Sequence, residues 1–191
     1  REECEKFVIF GVRACDVKSF DVLDRVFLAE PVDTYYQNRR SNAVIMSLAC
    51  DKPVETCFCH PFGIDASDPD GDVVCWKDDD ALYMKAKTEK GEKLLKSIES
   101  VTESADENAA NKQRKIIADR LEKLPLRSLS ADAFGDGKTS EFFDAPEWTE
   151  LSESCLGCGT CTFVCPTCQC YDIRDFDTGA GGIQRYRCWD S

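Results

Sequence analysis

Short apolar runs alternate with amphipathic stretches through the first half of the chain, and the alternation predicts a sheet with helices beside it. Phe7-Val-Ile-Phe10 is a compact apolar run of the kind that forms a buried strand. Gly11 to Cys15 leaves it at a turn, and Asp16 is placed to cap the next helix. Val17, Phe20, Leu23 and Phe27 recur at helical spacing, so that helix is predicted over 17–28, ended by Pro31. A short polar helix is predicted over 33–40 and a second buried strand over 43–49. Each strand is followed by a cysteine and an aspartate, Cys15-Asp16 and Cys50-Asp51. Open α/β sheets commonly bind ligands at the carboxyl ends of their strands, so the two cysteines are expected at one site.

Glycine, proline and aspartate crowd residues 63–72, which predicts a solvated loop. Without the spaced oxygens and closing glutamate of an EF-hand, that loop is not read as a calcium site. Val73–Trp76 and Leu82–Ala86 flank Lys77-Asp-Asp-Asp80 and predict a β-hairpin. Thr88 opens a helix over 89–99, and Ser100 with Glu103 has the form of a capping box for another that runs to Leu124. Lys112, Arg114, Lys115 and Arg120 are expected to form its solvated face. Pro125 stops it, and a linker is expected over 126–145, with a short helix bearing Trp148 and Leu151 after it. The Gly179–Gly182 stretch reads as a turn before 183–191. The fold class is therefore α+β: a small mixed α/β domain over 1–125, then a ferredoxin-like iron–sulfur segment over 146–191.

Composition narrows the partners. The formal charge of −12 repels nucleic-acid phosphates, so nucleic acid is not expected as a partner. No apolar run approaches the roughly 18 residues of a membrane span. Thirteen cysteines in 191 residues first suggest a disulfide scaffold. The odd count and the tight grouping argue instead for ligands, which need reduced thiols and so favour the cytoplasm. No leader-like segment opens the sequence, and its start at Arg1-Glu2-Glu3 and end at Ser191 are read as fragment edges.

The chemistry concentrates in Cys155-Leu-Gly-Cys158-Gly-Thr-Cys161-Thr-Phe-Val-Cys165-Pro166, the unbroken C-x2-C-x2-C-x3-C-P run of bacterial ferredoxins. Two-residue gaps let three sulfurs point at one cubane, while the fourth cysteine usually serves another cluster. A Cys4 zinc site normally draws on two separated pairs. Cys155, Cys158 and Cys161 lack an obvious fourth ligand here; Cys165, Cys168, Cys170 and Cys188 are the candidates. Cys15, Cys50, Cys57 and Cys59 make a second plausible four-thiolate set for a further [4Fe-4S] cluster, with zinc ligation or burial as small hydrophobes the alternatives. Cys4 and Cys75 are set aside, the first among charges, the second in a strand. Arg13 and His60 flank the second set and are candidates to offset cluster charge. Trp148 is a candidate to shield the Cys155 cluster. These features leave three function classes: an electron relay, a zinc-stabilised interaction module, and a catalytic iron–sulfur subunit.

Five motifs together resemble one family. They are Phe10-Gly-Val-Arg-Ala-Cys15-Asp16, Leu48-Ala-Cys50, Thr56-Cys-Phe-Cys59, the Cys155 run continuing to Cys170, and Arg187-Cys-Trp-Asp-Ser191. The family is that of the iron–sulfur electron-transfer subunits typified by the A-type subunit of anaerobic sulfite reductase and the beta subunit of sulfhydrogenase. The resemblance implies two to three [4Fe-4S] clusters in the full-length protein and a place in a cytoplasmic hetero-oligomer. Its partners there are a flavin- and NAD(P)-binding diaphorase subunit and a catalytic redox subunit. It also implies that the Cys155 cluster takes its fourth thiolate from a second cysteine run, which this chain lacks, and that Cys165 ligates the other cluster. Cys188 departs from the pattern just before Trp-Asp-Ser.

Overall fold

The computed structural model describes residues 4–179 and 181–189, so Arg1, Glu2, Glu3, Ala180, Asp190 and Ser191 lie outside the described residues. The chain divides into two compact units, 1–135 and 136–191, and the expected linker over 126–145 falls partly in each.

The first unit is built on a four-stranded sheet in the order β1 (Phe7–Val12), β2 (Ala43–Leu48), β3 (Val73–Lys77), β4 (Leu82–Ala86). β1, β2 and β3 run parallel, with Phe10 opposite Met46 and Met46 opposite Val73, and β4 returns antiparallel with Cys75 opposite Met84. The central strands β2 and β3 are buried on both faces, which is why they read as continuous apolar runs rather than as alternations. β1 and β4, at the edges, bury less. Gly11 adopts φ +82 where the β1–β2 register shifts between Phe10 and Val12, a bulge that turns the chain toward its first helix.

Helices α1 (Ala14–Phe27) and α2 (Thr34–Asn42) join β1 to β2. α1 starts at Ala14 with Arg13 in the extended cap position, so Asp16 lies in the first turn instead of capping it; its charge favours the helix N-terminus from there. α2 begins on Asp33, whose Oδ1 accepts the amides of Tyr35 and Tyr36 at 3.0 Å each. The hairpin forms as predicted, its turn held by Asp78, which accepts the amides of Asp80 and Ala81. α3 (Glu89–Ser97) opens on Thr88 and packs Leu94 and Leu95 against Met46, Val73 and Cys75. α4 (Glu107–Leu121) lays Ile117 against Ala49, Val74 and Trp76.

Two expectations are corrected here. The capping box at Ser100 and Glu103 does not form; residues 99–101 extend the end of α3 as a 3-10 turn, and α4 is capped by Asp106, which accepts the amide of Asn108. Residues 63–72 are also pinned rather than freely solvated. Ala66, Ser67, Pro69 and Asp72 are buried, Asp72 accepts the Ile45 amide and the Thr88 hydroxyl, and the Ser67 carbonyl takes the Trp76 indole N–H at 2.8 Å. Of the basic residues on α4, Arg114 reaches across to Asp65 and Asp68, and Arg120 donates to the Asp51 carbonyl. They tie α4 to this loop and to the end of β2.

The second unit carries two short helices, α5 (Glu147–Ser152) and α6 (Thr160–Val164), and a hairpin of β5 (Tyr171–Asp177) and β6 (Ile183–Trp189). The hairpin is held by a two-point pair between Arg185 and Asp175 and by Arg187 over the Tyr171 ring. Trp148 is 56% exposed, with its indole N–H on the Phe142 carbonyl.

Candidate metal centre

The parallel pairing of β1 and β2 brings their carboxyl ends to one edge of the sheet. Cys15 leaves that edge as the second residue of α1, and Cys50 follows β2 by two residues. The β2–β3 connection then carries Cys57 and Cys59 back past the same edge. Within it the Cys57 amide donates to the Val54 carbonyl at 2.9 Å, and the Val54 amide donates to the Cys57 sulfur at 3.3 Å. The Cys59 carbonyl accepts from Phe62 and Ile64 as the chain turns through the His60–Phe62 3-10 helix. Gly63 closes that turn in the left-handed region at φ +66.

Cys15, Cys50 and Cys59 are raised, in part by the charges of neighbouring thiols. Burial, and then the charges of Cys15, Cys57 and Cys50, push Cys59 up to about 11. Burial raises Cys50, Arg13 works against that rise, and Cys57 and Cys15 add to it. Cys15 is raised by burial and by Asp16, with a smaller contribution from Cys57. Free thiols that raise one another in this way are poor neighbours as thiolates, unless a cationic centre binds them together. Beside them lies a cavity of about 410 Å³, walled by Cys57, Phe58, Ile64, Leu121, Leu124 and Leu126. Cys75 is fully buried in β3 and Cys4 lies at the other end of β1.

In the second unit the cysteine run wraps through two left-handed glycines, Gly157 at φ +65 and Gly159 at φ +71, a backbone that side chains with a Cβ rarely adopt. The Gly157 amide donates to the Cys155 sulfur at 3.4 Å. Thr160 contacts the Cys158 sulfur at 3.3 Å and lowers its thiol, and Thr167 does the same for Cys165 at 3.1 Å, bringing it down to about 7. Cys168 is raised by its hydrogen bond to Cys165, and the charges of Cys165, Cys170 and Cys161 add to the rise. These four thiols therefore form a neighbourhood of their own. Cys188 sits on β6 opposite Asp172, with its charge acting on Arg174.

Residues 154–191 match the family model described as a 4Fe-4S dicluster domain. Over 186 residues, 97% of its length, the chain is 33% identical to the protein named Sulfhydrogenase 2 subunit beta from Pyrococcus furiosus. Along nearly its whole length the chain is therefore similar to a sulfhydrogenase beta subunit, and its residues 154–191 are those of a 4Fe-4S dicluster domain. It covers 55% of that relative and so spans about half its length. No solved structure matches it.

The dicluster-domain match, with the likeness to a sulfhydrogenase beta subunit, supports [4Fe-4S] clusters, and the cysteines present fit that group. Among the described residues no three His, Cys, Asp or Glu side chains converge as tightly as a single metal ion requires. A cubane distributes its four thiolates over four irons, so its ligand sulfurs stand farther apart than those around one tetrahedral ion. Cys15, Cys50, Cys57 and Cys59 lie within electrostatic reach of one another.

The coupling of Cys168 to Cys161 and Cys165 was not evident from spacing alone, which left Cys165, Cys168, Cys170 and Cys188 as equal candidates. Nor did the sequence disclose the contact of Arg13 with Ala49 and Asp51, 36 and 38 residues away.

Proposed function

We propose that this chain is a relay for single electrons that performs no bond chemistry of its own. In this reading Cys15, Cys50, Cys57 and Cys59 hold one [4Fe-4S] cluster at the sheet edge. Cys155, Cys158 and Cys161 supply three ligands to another, and Cys165 serves a further one, giving two to three clusters in the full-length protein. Cys168 and Cys170, beside Cys165 and Cys161, are this chain's nearest candidates to complete a shell, and Cys188 is a third. The observation that carries the reading is the meeting of four thiols from two parallel strand ends and one loop, in a chain that also bears the dicluster cysteine run.

Such clusters, when bound, take up and release one electron each. The chain's own contribution is to hold the thiolates, to bury them partly, and to place charges and N–H groups around them, as the Gly157 amide and Thr160 do at Cys155 and Cys158. The sequence carries no glycine-rich dinucleotide loop after a strand. A hydride donor therefore needs a partner that splits its electron pair, and a flavin does this. The proposed partners are thus a flavin- and NAD(P)-binding diaphorase subunit and a catalytic redox subunit, in a cytoplasmic hetero-oligomer; the relative's name denotes one subunit of a sulfhydrogenase. Among the described residues no helix is long and apolar enough to cross a membrane.

The test compares the isolated protein with its co-expressed complex under anaerobic conditions. The isolated protein should be reduced by dithionite yet show no NAD(P)H-dependent reduction of a viologen dye. The complex, containing a flavoprotein, should show it. Rapid NAD(P)H-dependent dye reduction by the flavin-free chain would overturn the relay reading.

A further inference from the structure

We infer that Arg13, Asp51 and Lys77 form a charge set that fixes the reduction potential of the cluster held by Cys15, Cys50, Cys57 and Cys59. The inference rests on the proposed assignment of those four ligands and concerns what tunes their site.

Arg13 occupies the cap position of α1, two residues before Cys15. Its Nη1 donates to the carbonyl of Ala49 at 2.8 Å and stands 3.5 Å from Oδ1 of Asp51. These are the residues on either side of Cys50, so the guanidinium is tied down beside that cysteine from both directions. Its charge reaches the Cys50 sulfur. The other oxygen of Asp51 pairs with Lys77 at 3.3 Å, from the end of β3. Arg120 of α4 donates to the Asp51 carbonyl at 2.6 Å and holds the segment in place. The Asp51 side chain is only 13% exposed, against 37% for Arg13 and 42% for Lys77, so the carboxylate is the least screened member of the set.

The physical consequence has a definite sign. Reduction adds one electron and therefore one negative charge to a site of thiolates. A cation fixed beside Cys50 favours the reduced form, and an anion beside it opposes that form. Arg13 and Asp51 thus act in opposite directions on the same equilibrium, with Lys77 offsetting part of the Asp51 charge. A residue that merely tethered the Ala49 carbonyl would change stability and leave the potential alone.

An EPR-monitored potentiometric titration of the anaerobically purified protein tests this on the signal that Cys57→Ser removes. At a fixed applied potential, Arg13→Gln should lower the reduced-to-oxidised ratio about tenfold, a shift of roughly 59 mV toward negative potential for one electron. Asp51→Asn should raise the ratio, and Arg13→Lys, which keeps the charge, should stay near the wild type. Midpoints that are unmoved, or that move in the same direction in Arg13→Gln and Asp51→Asn with iron retained, overturn the inference. If Arg13→Gln fails to hold its cluster, Asp51→Asn alone decides, and a midpoint that is unchanged or more negative overturns it. Absence of any Cys57-dependent signal in the wild type instead overturns the ligand reading beneath it.

Discussion

Replacing Gly91 with alanine sets two physical effects against each other, and the structure decides which wins. Gly91 is the third residue of α3, where alanine is favoured over glycine by roughly 0.8–1 kcal/mol on helix propensity alone. Its Cα, however, rests on the chain just before β3. A Cβ built there falls inside contact distance of the Asp72 carbonyl oxygen, 2.8 Å from the Asp72 carbonyl carbon and 3.1 Å from Cγ2 of Val73. Asp72 has little room to yield. Its carbonyl takes the Lys87 amide, its own amide donates to the Ile45 carbonyl, and its carboxylate accepts from Ile45 and Thr88. The helix must therefore lift, loosening Leu94 and Leu95 from Met46, Val73 and Cys75. Overpacking of this kind costs about 1–3 kcal/mol, and a rigid backbone obstacle places it toward the upper end. After the propensity gain, a net loss of about 2 kcal/mol is expected. Urea unfolding of the first unit should show a lower midpoint with an unchanged slope. A midpoint equal to or above that of the wild type would refute the close approach of α3 to Asp72.

Three further outcomes are expected from the packing. Ile117→Ala empties a site that is 1% exposed beneath Ala49 and Trp76, and should cost about 2–5 kcal/mol in the same assay; a loss under about 1 kcal/mol would contradict the docking of α4 on β3. Burial raises the Cys75 thiol to about 11 from an unfolded value of 9.0, so the unfolded chain gives up this proton first as pH rises. That contribution to stability is intact below pH 9.0, falls between there and about 11, and amounts to about 2–3 kcal/mol at the top; Cys75→Ala should flatten that part of the pH profile. Asp33→Ala removes the acceptor for two amides at the start of α2 and should cost about 1 kcal/mol by urea unfolding, with no change expected if that cap is not formed.

How much the sequence discloses depends on the range of the interactions. β2 and β3 read as strands because burial on both faces leaves uninterrupted apolar runs, and α2 and α3 read as helices because Asp33 and Thr88 cap them locally. The capping box failed because the end of α3 continues through Ser100 as a 3-10 turn, and Asp106 is the better placed cap. The character of residues 63–72 was hidden for a different reason: Asp72 is held by Ile45, 27 positions away, and Arg114 arrives from α4. No strand is predicted at β5 or β6, because β5 is exposed along its whole length and Arg174-Asp175 interrupts any alternation of apolar and polar residues. The ligand candidates were legible by residue type and spacing, but the meeting of Cys15 with Cys57 required the parallel pairing of β1 and β2.

The central claim is that Cys15, Cys50, Cys57 and Cys59 hold a cluster separate from that of the Cys155 run. Iron and sulfide analysis of anaerobically purified wild type and Cys57→Ser, with EPR of the dithionite-reduced proteins, tests it most directly. The variant should lose about four irons per chain while the signal that depends on Cys155 persists. A soluble, folded Cys57→Ser protein that keeps all of its iron, or that loses both clusters together, would contradict the claim.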